Sequence, residues 1–419
     1  MNSSLTVSPE VGVHPDMVLA VGPGAPVLDE DRRTTPAMRI VVVDDWNQLK
    51  RFVSQWDALA RCAIEENVFY ESWMLLPAVE TMCRSGETMF VLVFDDNGRG
   101  PRQATLCGFF PLERRRRYHG LPFRMLSLLS HQHCFLNTPL VRSENADLTI
   151  SAFLNWVESE ADCNLFQWRR IRADGPFSQL LEEAVDLRGW PKFYDEDYTR
   201  ALFRVGGEGE EYSPPLLSGR GRRELKRRRQ RLAELGNLQY REAEAFDDPD
   251  WWIGRFLRLE ASGWKGRQGT ALASEVSHRT FFEETCREAS RRGRLLVSAL
   301  MLGSEPIAMQ CNFLAGNGCF AFKSAFDETY GRYSPGVFLL LDTLTRLSAH
   351  REVGWLDSCT VPDNELLNRM CSSRRRIKTI TMSGGRFTAT ALIQALPAMR
   401  LVKQMLFDRT PSNSRGNKL

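Results

Sequence analysis

The order of apolar runs repeats once along the chain, and that repetition constrains the fold more than any single motif. Each half reads as a strand, then helices, then a β-hairpin, then strand, helix and strand. In the first half the strand is "RIVVV" (39–43), and Asp44 or Asp45 can cap the helix that follows, where Trp46, Leu49, Phe52, Val53 and Trp56 recur near a helical period. A helix over 72–84 leads to the hairpin "MFVLVFDD", "NG", "ATLCGFFPLE". Short strands "FRMLSLLS" and "TPLV" precede a helix at 146–160, the strand "LFQWRRI", a helix ending on Gly189 and the strand "YTRALFRV". The second half runs through "NLQYREAE", "WWIGRFLRLEASGW", a helix over 276–292 and a hairpin turning at Gly303–Glu305. Then come "GCFAFKSAFDE", a helix from "SPGVFLLL", "WLDSC", the helix "ELLNRMC" and a closing strand "RIKTITMSG". The duplication is one of outline, with no matching sequence repeat.

A chain of 419 residues exceeds one average core, so two α/β domains with mixed sheets are predicted. The boundaries read as an N-terminal extension to 37, a first domain at 38–205, a linker and basic helix at 206–236, a second domain at 237–395 and a tail at 396–419. The prolines and glycines of "GGEGEEYSPPLL" mark the linker. In the basic helix Leu225, Leu232 and Leu235 share one face, the other faces are arginine and lysine, and Gly236 is the expected left-handed stop.

Hydrophobic residues at 43% and charged residues at 26% are ordinary for a globular protein. The net charge of +3 excludes a globally basic nucleic-acid binder, while arginine clusters at 113–117, 220–231 and 374–376 leave local anion binding open. The ten cysteines form no CxxC pair and the six histidines no ligand spacing, so no metal site is expected and the thiols are read as buried, reduced and cytoplasmic. The N-terminus lacks the basic start and apolar core of a signal peptide, and no apolar run is long enough to span a membrane.

Two adjacent features point to a site. Along "GCFAFKSAF" the residues Phe320, Phe322 and Phe326 alternate onto one face, and Cys319, Ala321, Lys323 and Ala325 onto the other. The small face leaves room for a slender ligand, or for a packed helix past which Lys323 reaches an edge. Next, "GRYSPG" opens a helix, where unpaired N–H groups and the helix dipole favour an anion. Pro335 suits the first turn, Gly336 admits close approach and Arg332 adds charge; the same residues also make a simple helix start beside a surface arginine. The glycine-rich "SGWKGRQGT" (262–270) is either an anion clamp or an exposed loop. His131 and His133 are a base or ligand pair, or structural or cleft-lining residues.

Taken together the pieces resemble the GNAT fold of N-acetyltransferases. The phrases "LEASGWKGRQGTAL", "GRLLVSALMLGSEPIAMQCNF", "FKSAFDETYGRYSPGVFLL" and "LDSC" resemble more closely the CelD/BcsL acetyltransferase group, linked with cellulose and other polysaccharide biosynthesis. The resemblance implies two tandem GNAT-like domains, with acetyl-CoA or another acyl-CoA bound in the second. It implies transfer of the acyl group to an amine or hydroxyl of a small-molecule or saccharide acceptor. Arg332, Tyr333, Ser334 and Gly336 would hold the donor's pyrophosphate, with Ser334-Pro335 standing where the family has a second glycine. A backbone N–H near Phe322 would stabilise the oxyanion, and the strand would part from "WLDSC" to receive the pantetheine arm. Glu260 and Asp357 are the candidate bases, Lys323 would position the acceptor or stabilise negative charge, and Trp264, Lys265 and Arg267 would contact substrate. The same architecture serves Fem-type aminoacyl-tRNA-dependent transferases and would serve a non-catalytic polysaccharide- or nucleic-acid-binding protein.

Overall fold

The structure, a computed structural model, describes residues 38–84, 86–96, 104–205, 218–244, 247–349 and 352–407. The expected N-terminal extension, the Asn97-Gly98 turn, the linker "GGEGEEYSPPLL" and the last residues of the tail lie outside them.

The first half contains β1 (Met38–Val43), α1 (Trp46–Leu49), α2 (Val53–Arg61), α3 (Ser72–Met82), β2 (Thr88–Asp95), β3 (Thr105–Arg115), β4 (Met125–Leu128) and β5 (Leu140–Val141). It closes with α4 (Ala146–Ser159), β6 (Leu165–Arg172), α5 (Pro176–Leu187) and β7 (Lys192–Arg204). The second half contains α6 (Gly219–Ala233), β8 (Leu238–Glu242), α7 (Pro249–Ser262), α8 (Trp264–Arg267), α9 (Val276–Arg291), β9 (Leu295–Leu302), β10 (Glu305–Ala315) and β11 (Gly318–Phe326). It ends with α10 (Pro335–Ala349), β12 (Trp355–Asp357), α11 (Glu365–Met370), β13 (Ser373–Met382) and α12 (Phe387–Phe407). Side-chain caps fix several helix starts: Asp45 accepts from Asn47 N, Ser218 from Gly221 N and Asp248 from Asp250 N.

The strands join one mixed sheet in the order β1-β2-β3-β4-β6-β13-β7-β12-β11-β10-β9-β8, with β5 on β3. The two halves exchange strands. β13, expected to close the second half, lies between β6 and β7 of the first, while β7 carries β12 on its other edge. Apolar patterning sets which face of a strand is buried but not which neighbour it takes, so the exchange left no mark on the sequence. The core crosses between halves as well: Phe69 meets Phe320 edge-on at 5.7 Å, and Trp73 meets Phe313 at 5.6 Å.

Four local expectations change. α6 ends at Ala233, Leu235 is half exposed, and Gly236 does not take the left-handed conformation. α12 runs through to Phe407, into the segment read as a tail, because Ala389, Ile393 and Leu396 bury one helical face. The loop "SGWKGRQGT" holds the helical turn α8, where a Cβ on Gly266 would stand 1.8 Å from the Ala261 carbonyl oxygen. Only glycine allows that approach of α8 to α7. Phe326, read with the bulky core face, is partly exposed at the end of β11.

Candidate active site

β11 and β12 run parallel but pair only over Gly318–Phe320 with Trp355–Asp357. Beyond Phe320 they part, leaving the edge of β11 from Ala321 to Phe326 without a neighbouring strand on that side among the described residues. The gap is a cleft of about 520 Å³. Its walls are the β11 edge, the start of α10, and Leu356, Ser358, Cys359 and Thr360.

A bulge lies at the parting. Cys311 of β10 faces Lys323, and the next residue, Asn312, faces Ala321, so Phe322 is an extra residue in β11. A bulge takes its residue out of the ladder and re-aims the side chains beside it. Phe322 and Lys323 line the cleft together with the rest of the open edge from Ala321 to Phe326.

Lys323 is the titrating group here. Burial, and then repulsion from Lys265, pull its ammonium down to about 8, against a partial restoring pull from Glu260. Its Nζ lies 5.5 Å from the centre of the Phe135 ring and 5.4 Å from that of Phe322. His131 and His133 sit behind it in the first half and stay neutral. Burial and the nearby cations push them down to about 3 and about 2. His133 stacks on Phe281 at 5.5 Å, and neither histidine lines the cleft, so this pair packs and is no base at neutral pH.

Both carboxylates expected as bases are already engaged. Glu260, at the end of α7, accepts from Lys265 Nζ at 2.9 Å and from Leu272 N at 2.8 Å. Lys265 also donates to the Ser324 carbonyl at 3.2 Å, so the pair braces the outer edge of β11. Asp357 is fully buried at the end of β12, with Arg200 at 2.6 Å and Arg375 at 3.0 Å on one oxygen. Burial opposes its ionisation, but the two guanidiniums outweigh it and hold the carboxyl below its ordinary range. A carboxylate so held is a poor proton acceptor.

The mouth of α10 differs in detail from the sequence expectation. Glu328–Tyr333 form a 3-10 helix, and Ser334 takes a left-handed conformation at φ 63°, as a glycine would. Val337 and Phe338 N–H donate to the Ser334 carbonyl and Pro335 has no N–H, which leaves that of Gly336 in the first turn. Arg332 is exposed and stacks on Tyr333 at 4.7 Å, and neither lines the cleft. The arginine at this mouth is Arg228, from the basic helix, which donates to Ser334 Oγ at 3.0 Å. Arg229 beside it docks α6 on α10 through two 2.8 Å bonds to Asp342. Arg228 stood in the sequence as one of a run, and only the docking singles it out. Ser358 was also missed; its Oγ is buried at the cleft wall with no hydrogen-bond partner among the described residues. Of the expected substrate contacts, Lys265 reaches the cleft. Trp264 N and Arg267 are tied to Glu328, outside it.

The part of the chain that builds this cleft has a family match. Residues 219–365 match the acetyltransferase (GNAT) domain. Two solved structures show the fold over most of the chain. A conserved protein of unknown function from Bacteroides thetaiotaomicron superposes with a TM-score of 0.52 at 9% identity, over 82% of this chain and 100% of the other. FemX superposes with a TM-score of 0.51 at 10% identity, over 84% and 98%. No curated protein matches the sequence. The architecture is mixed α/β, with the matched GNAT domain joined to the first half through one mixed sheet. Among the described residues, no helix is long and apolar enough to cross a membrane.

Proposed function

We propose that the protein is an acyl-CoA-dependent acyltransferase that works by direct transfer, with the donor's pantetheine arm lying along the open edge of β11. The early parting of β11 and β12 beside the Phe322 bulge carries this reading. An extended amide arm needs backbone partners, and Ala321 to Phe326 offer them where no strand of the described residues sits. The thioester carbonyl then lies by the bulge, and the Phe322 N–H receives the developing oxyanion. The acceptor's amine or hydroxyl attacks the carbonyl carbon, the C–S bond breaks, and coenzyme A leaves as the thiolate. The acceptor's proton passes to neutral Lys323 and then to that thiolate. Ser334, Gly336 and Arg228 receive the pyrophosphate, with Arg332 and Tyr333 on the outer rim. Glu260 and Asp357 position: the first holds Lys265 against β11, the second fixes the end of β12. Trp264 and Arg267 lie on the same outer rim.

The finer reading, that of a CelD/BcsL-type enzyme acting on a small-molecule or saccharide acceptor in the cytoplasm, rests on the quoted phrases and on ten free thiols that suit a reducing compartment. Fem-type aminoacyl-tRNA-dependent transfer is the second reading, favoured by the arginines of α6 beside the same mouth.

Calorimetry tests the donor site. Native protein is expected to bind acetyl-CoA, and Gly336→Val to lose at least about tenfold in affinity, or 1.4 kcal/mol. A Cβ on Gly336 meets Phe326 at an ordinary 3.6 Å, and valine's methyls add bulk at the mouth. No binding by native protein sinks the reading, and salt-sensitive tRNA binding in its place favours the second. Native-like binding by the variant sinks the placement of the mouth.

A further inference from the structure

A second pocket, of about 650 Å³, meets the donor cleft at Cys359 and Thr360, which line both. Its other walls come mostly from the first half, including Phe135, Arg169, Arg170 and Arg200, with Val361, Pro362 and Arg400 completing it. Phe135 is the ring over which the Lys323 ammonium sits, so the pocket ends at the group that lines the cleft.

The pocket is built to be cationic. Opposite Thr379 of β13, β6 carries two residues, Arg169 and Arg170, where one would keep register. This bulge turns neighbouring arginines into one pocket. Four arginines line it against two carboxylates; Asp197 is already paired with Arg376, and Arg169 lies 3.6 Å from Glu113, a carboxylate it shares with Arg115. Arg170 has no ion pair among the described residues; its guanidinium donates to Ser130 Oγ, and its Nε is buried without a partner among the described residues. Beneath lie Arg200 and Arg375, buried at 2% and 3% exposure, which share the single Asp357 carboxylate. Their Nε atoms are also unpartnered. Buried positive charge in excess is costly until an anion matches it.

We infer that this pocket is the acceptor subsite, and that it selects acceptors carrying an oxyanion, carboxylate or phosphate, beside the reacting amine or hydroxyl. The inference rests on the acyl-transfer reading above and names the substrate class for it. The oxyanion is held by Arg170 with Arg169, and the nucleophile passes Cys359–Thr360 to the thioester at Phe322. Bond changes are those already given; the arginines hold the acceptor and exchange no proton.

The test follows thiol release from acetyl-CoA with a panel of matched amines: glycine against its methyl ester, 2-aminoethyl phosphate against ethanolamine, glucosamine 6-phosphate against glucosamine. Oxyanion-bearing members are expected to show at least about tenfold higher kcat/KM. Carboxylate and phosphate pairs tell the two anions apart. Arg170→Gln is expected to abolish the preference by raising KM, with acetyl-CoA affinity unchanged. Val361→Glu, on the exposed rim (67% exposed), is expected to do the same without touching the buried arginines. No preference across the panel, or no turnover of any oxyanion-bearing member by protein that binds acetyl-CoA, overturns this inference alone. Failure to bind acetyl-CoA overturns the acyl-transfer reading and the inference with it.

Discussion

Lys323→Met is expected to lower kcat by about 10²-fold or more, the usual share of a positioned general base, while acetyl-CoA affinity stays native. Lys323 lines the donor cleft, and burial beside Lys265 brings its ammonium down to about 8. An ammonium cannot accept the acceptor's proton. Only the neutral amine works, so the native rate, taken against the unprotonated fraction of the acceptor amine, is expected to rise with pH and level off above about 8. Methionine keeps much of the side chain's bulk and removes the titration. Lys323→Arg keeps the charge at every accessible pH and is expected to show no rising limb. Thiol-release rates across about pH 6 to 9 read all three proteins. A native-like rate for the methionine variant would remove the lysine from the chemistry.

Asp357→Ala is expected to destabilise the fold by about 3–5 kcal/mol, because it strands Arg200 and Arg375 in the interior without a counter-charge. Arg375 has an aromatic face at 4.0 Å, that of Trp355, which does not replace an anion. Denaturant melts measure the loss. The pH dependence has a definite sign. Burial raises the Asp357 carboxyl, Arg200 and Arg375 lower it further, and the net shift is downward. A depressed folded-state value gives stability that is fully present above the unfolded value of 3.8 and lost as pH falls through the lower folded one. The native melting temperature is therefore expected to drop in acid over that window. In Asp357→Asn this part of the drop should vanish. An alanine variant as stable as native would show that the carboxylate does not hold the seam between β7, β12 and β13.

Much of the fold could be read from apolar period and turn residues. The hairpin β9–β10, the strand β11 and the helix opening at Pro335 stand where the alternation and the Ser334-Pro335-Gly336 turn put them. Three kinds of feature could not be read. Strand partners are long-range choices, so the exchange of β13 and β7 was invisible. Bulges shift register by one residue without changing composition, yet those at Phe322 and at Arg169–Arg170 aim the side chains on which the site depends. Charge partners also lie far apart in sequence. Asp357 looked like a free carboxylate until Arg200 and Arg375 were found beside it, and Arg228 was one arginine in a run until α6 was seen docked on α10. Arg332, prominent beside its glycine, proved to be on the surface.

A crystal structure with acetyl-CoA bound tests the central claim most directly. The expected result is a pantetheine arm paired along Ala321–Phe326, with its thioester carbonyl oxygen within about 3 Å of the Phe322 N–H and its pyrophosphate at Ser334, Gly336 and Arg228. Acetyl-CoA bound away from the gap between β11 and β12, or a pyrophosphate that leaves the mouth of α10 empty, would contradict it.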